Sequence, residues 1–175
     1  MPVLNPDHLL EQADSLIAPV GRGASRQADL RRAISNAYYA LFHAILTGVA
    51  DDFVGRTSRQ TPRYSLVYRS VDHASVRALC NVLTSEDYKK KRKLSPKYIL
   101  HEPAGGFGAD LLEVATAFTD LQEKRHLADY DPLYRVRLSD AVLAVATARA
   151  ALRRLGNANA QKRRAFLSLV AFKPR

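Results

Sequence analysis

Apolar residues recur every three or four positions along most of this chain, which is the spacing of helices that bury one face. The strongest pattern lies at 31–49, where the apolar side chains fall within an arc of about 100° on a helical wheel. They are Ile34, Tyr38, Leu41, Phe42, Ile45 and Val49. Alanines flank this stripe, so a second backbone, from this chain or from another copy of it, can pack closely against the central helix.

Capping residues and helix breakers set the expected ends of the helices. A first helix begins at Pro6 with Asn5 as its cap, and it runs to about Ala18. Ser25 is the expected cap of the central helix, which ends after Gly48. Further helices are predicted at 65–83, 110–127 and 139–155, with a short basic helix from Asn157 or Asn159 to before Pro174.

The fold class follows from the absence of any sustained alternation of apolar and polar residues. Residues 64–71 taken alone also fit a strand, but the spacing over 65–83 favours a helix. We therefore predict an all-α fold, most simply an antiparallel up-and-down bundle of four to five helices. The bundle is expected to take up 1–156, and 157–175 is expected to form a basic C-terminal helix or tail.

One internal segment, at about 86–107, has no sustained periodicity and is predicted to be an insertion or a mobile loop. It carries five consecutive basic residues, Lys89, Lys90, Lys91, Arg92 and Lys93. Such a run is usually a solvated loop, but beside a cleft it can also gather RNA phosphates.

Composition narrows the class of protein. The chain has 175 residues, 47% of them hydrophobic, which is enough for one domain with a continuous core. No apolar run is long enough to span a bilayer, and no signal peptide is evident, so we expect a soluble, cytoplasmic protein. The single cysteine, Cys80, excludes a disulfide framework, and the five histidines are dispersed, so we predict no metal and no cofactor.

The charge is strongly positive, with 27 Lys and Arg against 17 Asp and Glu, a formal net charge of +10. Such an excess attracts polyanions, of which nucleic acid is the commonest in the cytoplasm. The alternative to nucleic-acid binding is that the positive charge only keeps the protein soluble. Clustering of the basic residues favours contact with nucleic acid.

A polar stripe runs along the central helix, opposite part of its core face. Arg32, Asn36, Tyr39 and His43 lie within about 60° of one another on the wheel. This stripe predicts that the helix borders a polar cleft.

The helix at 110–127 continues into a second polar cluster. Arg125 and Asp129 are four residues apart and can form an ion pair, and His126 and Tyr130 can share a face in the same way. Cleavage of RNA without a metal needs a proton acceptor, a proton donor and a cation beside the phosphate. Arg125, His126, Tyr130 and His43 supply these groups if both helices face one cleft. The alternative is structural, with the ion pair closing the helix end and the tyrosines packing in an interface.

Two segments, RRAISNAYYALFHA and, further along the chain, LQEKRHLADYDP, resemble the HEPN superfamily, the "higher eukaryote and prokaryote nucleotide-binding" helical domains. The likeness is to small bacterial stand-alone members with an AYYALFH-type helix and an RxxADY-type ending, and it covers about 27–155. His73 lies where relatives often have a histidine. The resemblance implies a four- to five-helix bundle, usually a homodimer, with a polar cleft at the dimer interface.

The resemblance also implies a function. Many members are metal-independent ribonucleases of toxin–antitoxin, defence or RNA-processing systems, and their motif is an arginine followed after four to six residues by a histidine. Arg125 matches the arginine, but the following window holds Tyr130, Asp131 and Pro132, and the nearby histidine is His126. The leading hypothesis is therefore an RNA-directed domain, either a ribonuclease or an RNA-binding relative. The second is an interaction module that binds an antitoxin or a nucleotidyltransferase, and the third is a nucleotide-binding module.

Overall fold

The computed structural model describes residues 4–18, 25–91, 94 and 96–174, without the side chains of Lys91 and Pro96. Within these ranges the helices are α1 (Pro6–Ile17), α2 (Gln27–Phe53), α3 (Pro62–Ser70), α4 (His73–Thr84), α5 (Glu86–Lys91), α6 (Pro96–Ile99), α7 (Gly108–Tyr130), α8 (Leu138–Asn157) and α9 (Ala160–Ala171), with a 3-10 turn at Arg56–Ser58. No strand occurs in the described ranges, so the predicted all-α bundle is confirmed.

The core is built around α2, which has 27 residues and packs against α1, α7 and α8. Its predicted apolar stripe is confirmed, because every member of the stripe is buried. The alanines beside the stripe are largely buried too, and they let α1 and α8 approach the α2 backbone closely. Further along the chain, α9 packs its apolar face, which includes Phe166 and Leu167, against α2, α4 and α7.

Local signals placed several helix ends correctly. Asn5 caps α1 by accepting a hydrogen bond from the Asp7 N–H, and Asn159 caps α9. Pro132 ends α7, since Asp131 before it is extended. The predicted role of Ser25 is wrong: α2 begins at Gln27 without a side-chain cap, and the Ser25 hydroxyl donates to the Ile17 carbonyl.

The single helix predicted at 65–83 is divided into α3 and α4. Val71 is extended, and Asp72 caps α4 by accepting from the backbone N–H and the hydroxyl of Ser75. The apolar spacing continues across this break because both helices face the same core. Periodicity alone therefore concealed the cap that places His73 at the first turn of α4.

The segment at 86–107, predicted to be an insertion or mobile loop, also contributes to the core. It forms α5 and α6, and Tyr88, Leu94, Tyr98 and Phe107 are buried. The Tyr88 phenol donates to Glu102 and accepts from the Phe107 backbone N–H. The apolar residues of this segment are too widely spaced for a helical pattern in the sequence, but tertiary contacts bury them.

Two side chains from the start of α2 hold the connection between α7 and α8. Gln27 makes a reciprocal pair of hydrogen bonds with the backbone of Val136, at 2.8 and 3.0 Å. The Arg31 guanidinium donates to the carbonyls of Ala128 and Asp131, both at 2.9 Å, and also to those of Pro132 and Tyr134. Ala128 lies in the last turn of α7, where carbonyls have no partner within the helix, and the other three carbonyls follow it, so Arg31 fixes the end of α7 against α2.

The structure also describes the single cysteine and the apolar character of the helices. Cys80 is fully buried, and burial raises the pKa of its thiol well above the usual range. Among the described helices, none has the length and apolar character to cross a bilayer.

Candidate functional site

Arg125 lies at the centre of a polar cluster where α7 crosses α2. Its Nη2 donates to the Tyr39 hydroxyl at 2.7 Å and to the Tyr130 hydroxyl at 3.3 Å. The guanidinium carbon also lies 5.4 Å from the centre of the Tyr39 ring and 5.1 Å from that of Tyr130. The cation is therefore held between two aromatic rings, an arrangement that stabilises positive charge.

A carboxylate completes the support of Arg125. Asp129 Oδ2 lies 2.7 Å from Arg125 Nε, and Asp129 Oδ1 accepts from the buried Ser35 hydroxyl at 2.5 Å. The Nε–H does not point along a hydrogen-bond direction, so this contact is a charge pair rather than a well-formed hydrogen bond. Burial alone would lower the pKa of Arg125, but Tyr39, Asp129 and Tyr130 raise it above its ordinary value, and the arginine stays charged.

His73 reaches the same cluster from the start of α4. Its Nδ1 is 2.6 Å from the Tyr38 hydroxyl, and its ring stacks on Phe42 with centroids 3.9 Å apart. The ring centres of Tyr38 and Tyr39 lie 5.6 and 6.1 Å from it. His73 and Arg125 therefore stand beside the same two tyrosines.

The charge state of His73 follows from these neighbours. Partial burial and the charge of Arg125 lower its pKa, against the opposing effect of Asp72, so the imidazole is neutral at neutral pH. Burial raises the pKa of Tyr38 well above its ordinary value, so Tyr38 remains a protonated phenol. The Tyr38 hydroxyl accepts from Gln122, and Nδ1 of His73 is the acceptor that its own proton can reach, so we assign the imidazole proton to Nε2, which is then a hydrogen-bond donor.

His43 lies next to this cluster on α2, with its ring 6.1 Å from that of Tyr39. Its Nδ1 is 2.6 Å from the Tyr68 hydroxyl on α3. Burial and then the proximity of His73 lower the pKa of His43, and burial raises that of Tyr68. His43 is thus a second neutral imidazole with its Nδ1 occupied by a phenol.

The predicted site residues divide into two groups. Tyr39, Arg125, Asp129 and Tyr130 form one connected cluster, with His43 one ring away. His126 is exposed and contacts the cluster only through the Tyr130 ring, at 5.1 Å between centroids.

The other predicted residues lie away from Arg125. Asn36 is buried and donates to Gln12 of α1, so it serves the α1–α2 packing. Arg32 is exposed and has no hydrogen bond or ion pair within the described part of the chain. In the basic run, Lys89 and Lys90 are exposed on α5, and Lys90 pairs with Glu86 at 2.6 Å. Arg92, Lys93 and the side chain of Lys91 lie outside the described residues.

Three side chains that complete the site were not among the predicted site residues: Ser35, Tyr38 and His73. Tyr38 and Ser35 lie on the core side of α2 and were indistinguishable from packing residues. His73 had one local signal, the Asp72 cap before it, which marks a helix start. That signal was hidden inside the longer apolar pattern.

The arrangement presents hydrogen-bond donors and positive charge to solvent. Arg125 and the Nε2–H of His73 both favour an anion with planar or tetrahedral oxygens, such as a phosphate. Among the described residues, no group of three His, Cys, Asp or Glu side chains has the geometry to hold a metal ion. Comparison with protein-family models, with curated proteins and with solved structures found no match for this chain.

Proposed function

We propose that this chain is an RNA-directed, HEPN-like domain whose Arg125 cluster holds a phosphate of the RNA backbone. The observation that carries the proposal is the placement of Arg125 and His73 beside the same pair of tyrosines, Tyr38 and Tyr39. Both side chains donate hydrogen bonds, and the net charge of +10 attracts a polyanion. The sequence resemblance supplies the class of nucleic acid.

The support around Arg125 makes it suited to this task. Asp129 and Tyr39 hold Nε and Nη2, while Nη1 has no hydrogen bond within the described part of the chain. A phosphate can therefore bind Nη1 directly and share Nη2 with the tyrosine hydroxyls. Because the guanidinium is held before the strand arrives, little side-chain entropy is lost on binding.

Metal-independent RNA cleavage is the second candidate function, and the position of His126 beside Tyr130 favours it. His126 has both ring nitrogens free of hydrogen bonds among the described residues, so it can accept a proton. In this reaction His126 removes the proton of the ribose 2′-hydroxyl, whose oxygen attacks the phosphorus. The 5′-oxygen leaves with a proton from the Tyr130 phenol, and the products are a 2′,3′-cyclic phosphate and a 5′-hydroxyl.

A protein partner is also part of the proposal. Large apolar side chains are exposed around the end of α7 and the start of α8, namely Tyr130, Leu133, Leu138, Val142 and Leu143. Apolar surface of this kind beside a polar cluster is typical of an interface. A second copy of the chain is the partner that the sequence resemblance favours, and an antitoxin or nucleotidyltransferase is the alternative.

The test measures RNA binding and RNA cleavage in the presence of EDTA for the wild type and three variants. Arg125→Ala should weaken binding of single-stranded RNA by about tenfold to 100-fold. It should also reduce the slope of the logarithm of the binding constant against the logarithm of the salt concentration by about one. His126→Gln should retain binding but reduce any cleavage by about 100-fold. Arg153→Ala, which removes the same charge from an exposed position on α8, should change binding by less than about threefold.

The outcomes separate the two candidate functions. Binding without cleavage by the wild type leaves the RNA-binding function and removes the ribonuclease. Absence of salt-sensitive RNA binding by the wild type, or equal binding by Arg125→Ala and Arg153→Ala, contradicts the proposal. Far-UV circular dichroism confirms that each variant is folded.

A further inference from the structure

A cavity of about 440 Å³ lies beside His43. It is formed by α2, α3 and the turn between them, and its lining includes His43, Gln60, Pro62, Ser65, Tyr68 and Arg69. Its size is within the range of small-ligand sites in proteins. Only His43 is shared with the site described above.

Aromatic rings form one wall of this cavity. The rings of His43 and Tyr68 are nearly parallel, with an angle of 11° and centroids 6.0 Å apart. Tyr64, which is buried, packs on Tyr68 with centroids 6.4 Å apart and supports it. The hydrogen bond between His43 and Tyr68 fixes both rings, and the Tyr64 hydroxyl is fixed by Asp51 at 2.9 Å. Rigid aromatic surfaces of this kind are the usual stacking partners of unpaired nucleobases.

The polar groups of the cavity match the edge of a base. With the Tyr68 phenol assigned as the donor to Nδ1 of His43, Nε2–H of His43 remains a donor, and the Gln60 amide can both donate and accept. The described lining contains no Asp or Glu. Arg69 is exposed on α3 and has no ion pair among the described residues, so its charge is available to a phosphate.

A second cavity, of about 450 Å³, provides a contrast on the same helix. Its lining includes Asp51 and Asp52, and Asp51 binds Arg59 and Arg56 at 2.6 and 3.3 Å. Both carboxylates there are paired with arginines of the protein, and Arg163 donates to the Gly156 carbonyl. The cavity at His43 is therefore the better candidate for part of a nucleic acid strand.

The two sites adjoin along α2. The His43 ring lies 6.1 Å from Tyr39, whose hydroxyl accepts from Arg125. We infer that the cavity takes one unstacked base of single-stranded RNA, next to the phosphate held at Arg125, with Arg69 beside the following phosphate. This inference rests on the proposed function, because it requires a strand at Arg125.

The experiment fills the cavity without removing any of its contacts. Ser65→Phe places a ring in the opening, and Ser65→Ala at the same exposed position leaves the cavity open. Two probes are titrated: a short single-stranded 2′-O-methyl RNA, which cannot be cleaved through its 2′-oxygen, and a strand with the same backbone and no bases. The readout is the ratio of the two dissociation constants.

The wild type and Ser65→Ala should bind the strand with bases about tenfold more tightly than the strand without them, which is the contribution expected of one stacked base. Ser65→Phe should reduce that ratio to about twofold or less while it binds the strand without bases as the wild type does. A wild-type ratio in Ser65→Phe overturns the cavity inference and leaves the Arg125 proposal intact. No salt-sensitive binding of either strand by the wild type overturns both.

Discussion

The anchoring of the α7 end by Arg31 allows a sharp test of the fold around the site. The guanidinium of Arg31 donates to four backbone carbonyls, from Ala128 to Tyr134, and two of these hydrogen bonds are 2.9 Å long. The last turn of α7 carries Asp129 and Tyr130, so Arg31 positions the groups that hold Arg125. Arg31→Ala removes these bonds, and of the four carbonyls only that of Asp131 keeps a protein donor among the described residues, the Tyr134 N–H at 3.4 Å.

The expected loss of stability follows from the number of bonds. A hydrogen bond with a charged donor contributes about 1.5–3 kcal/mol, and the two short bonds are partly shielded from solvent. Water replaces part of what is lost at the exposed Pro132 carbonyl. We expect the free energy of unfolding to fall by about 3 kcal/mol, which for a chain of this length lowers Tm by about 6–12 °C.

The neighbouring residue supplies a matched control. Arg32 is the same residue type on the same helix, but it is exposed and has no contact of this kind within the described residues, so Arg32→Ala should change stability by less than about 0.5 kcal/mol. Urea unfolding followed by far-UV circular dichroism measures both variants, with an unchanged m-value expected for each. Equal stability of the two variants would show that Arg31 does not anchor α7, and the argument would fail.

Three further predictions concern single groups. The pKa values of His43 and His73 are lowered on folding, so the unfolded chain binds more protons below about pH 6.5, and Tm should fall as the pH is lowered from 7 to 5. The double variant His43→Gln, His73→Gln should show a smaller fall, and a fall as large as in the wild type would contradict the assignment. Asp51→Asn should lower the free energy of unfolding by about 1–3 kcal/mol at pH 7, because it weakens the contacts of Asp51 with two arginines and a tyrosine. The pKa of Asp51 is lowered despite burial, so this deficit should shrink as the pH falls below about 4, and a deficit independent of pH would refute the cause. The thiol of Cys80, buried and with a raised pKa, should react with a thiol reagent only on unfolding, and rapid reaction of the native protein would show that its helix opens.

How much of the site could be predicted depended on the distance between the interacting residues. The sequence brought Arg125, Asp129 and Tyr130 together because they lie on adjacent turns of one helix. Tyr39 was predicted to line the cleft from its position on α2. The residue spacing within α2 or within α7 cannot predict how close the two helices lie. Only the folded chain shows that Tyr39 of α2 reaches Arg125 of α7.

Asn36 and His73 show the limit most clearly. Asn36 shares the polar stripe with Tyr39, but α1 packs over this part of α2, and Gln12 binds the amide. His73 was named only through the family resemblance, yet it lies beside Tyr38, which is 35 positions away in sequence. A helical wheel shows the faces of one helix, but it does not show which neighbouring helix packs against each face.

The sequence by itself determined the helical class, the buried stripe of α2 and the cap at Asn5, because periodicity and capping depend on residues within a few positions of each other. Tertiary structure alone decided that Arg125, His73 and Tyr39 share one surface and that 86–107 joins the core. Those outcomes depend on how whole helices pack, and helix packing is set by the combined burial of many side chains far apart along the chain.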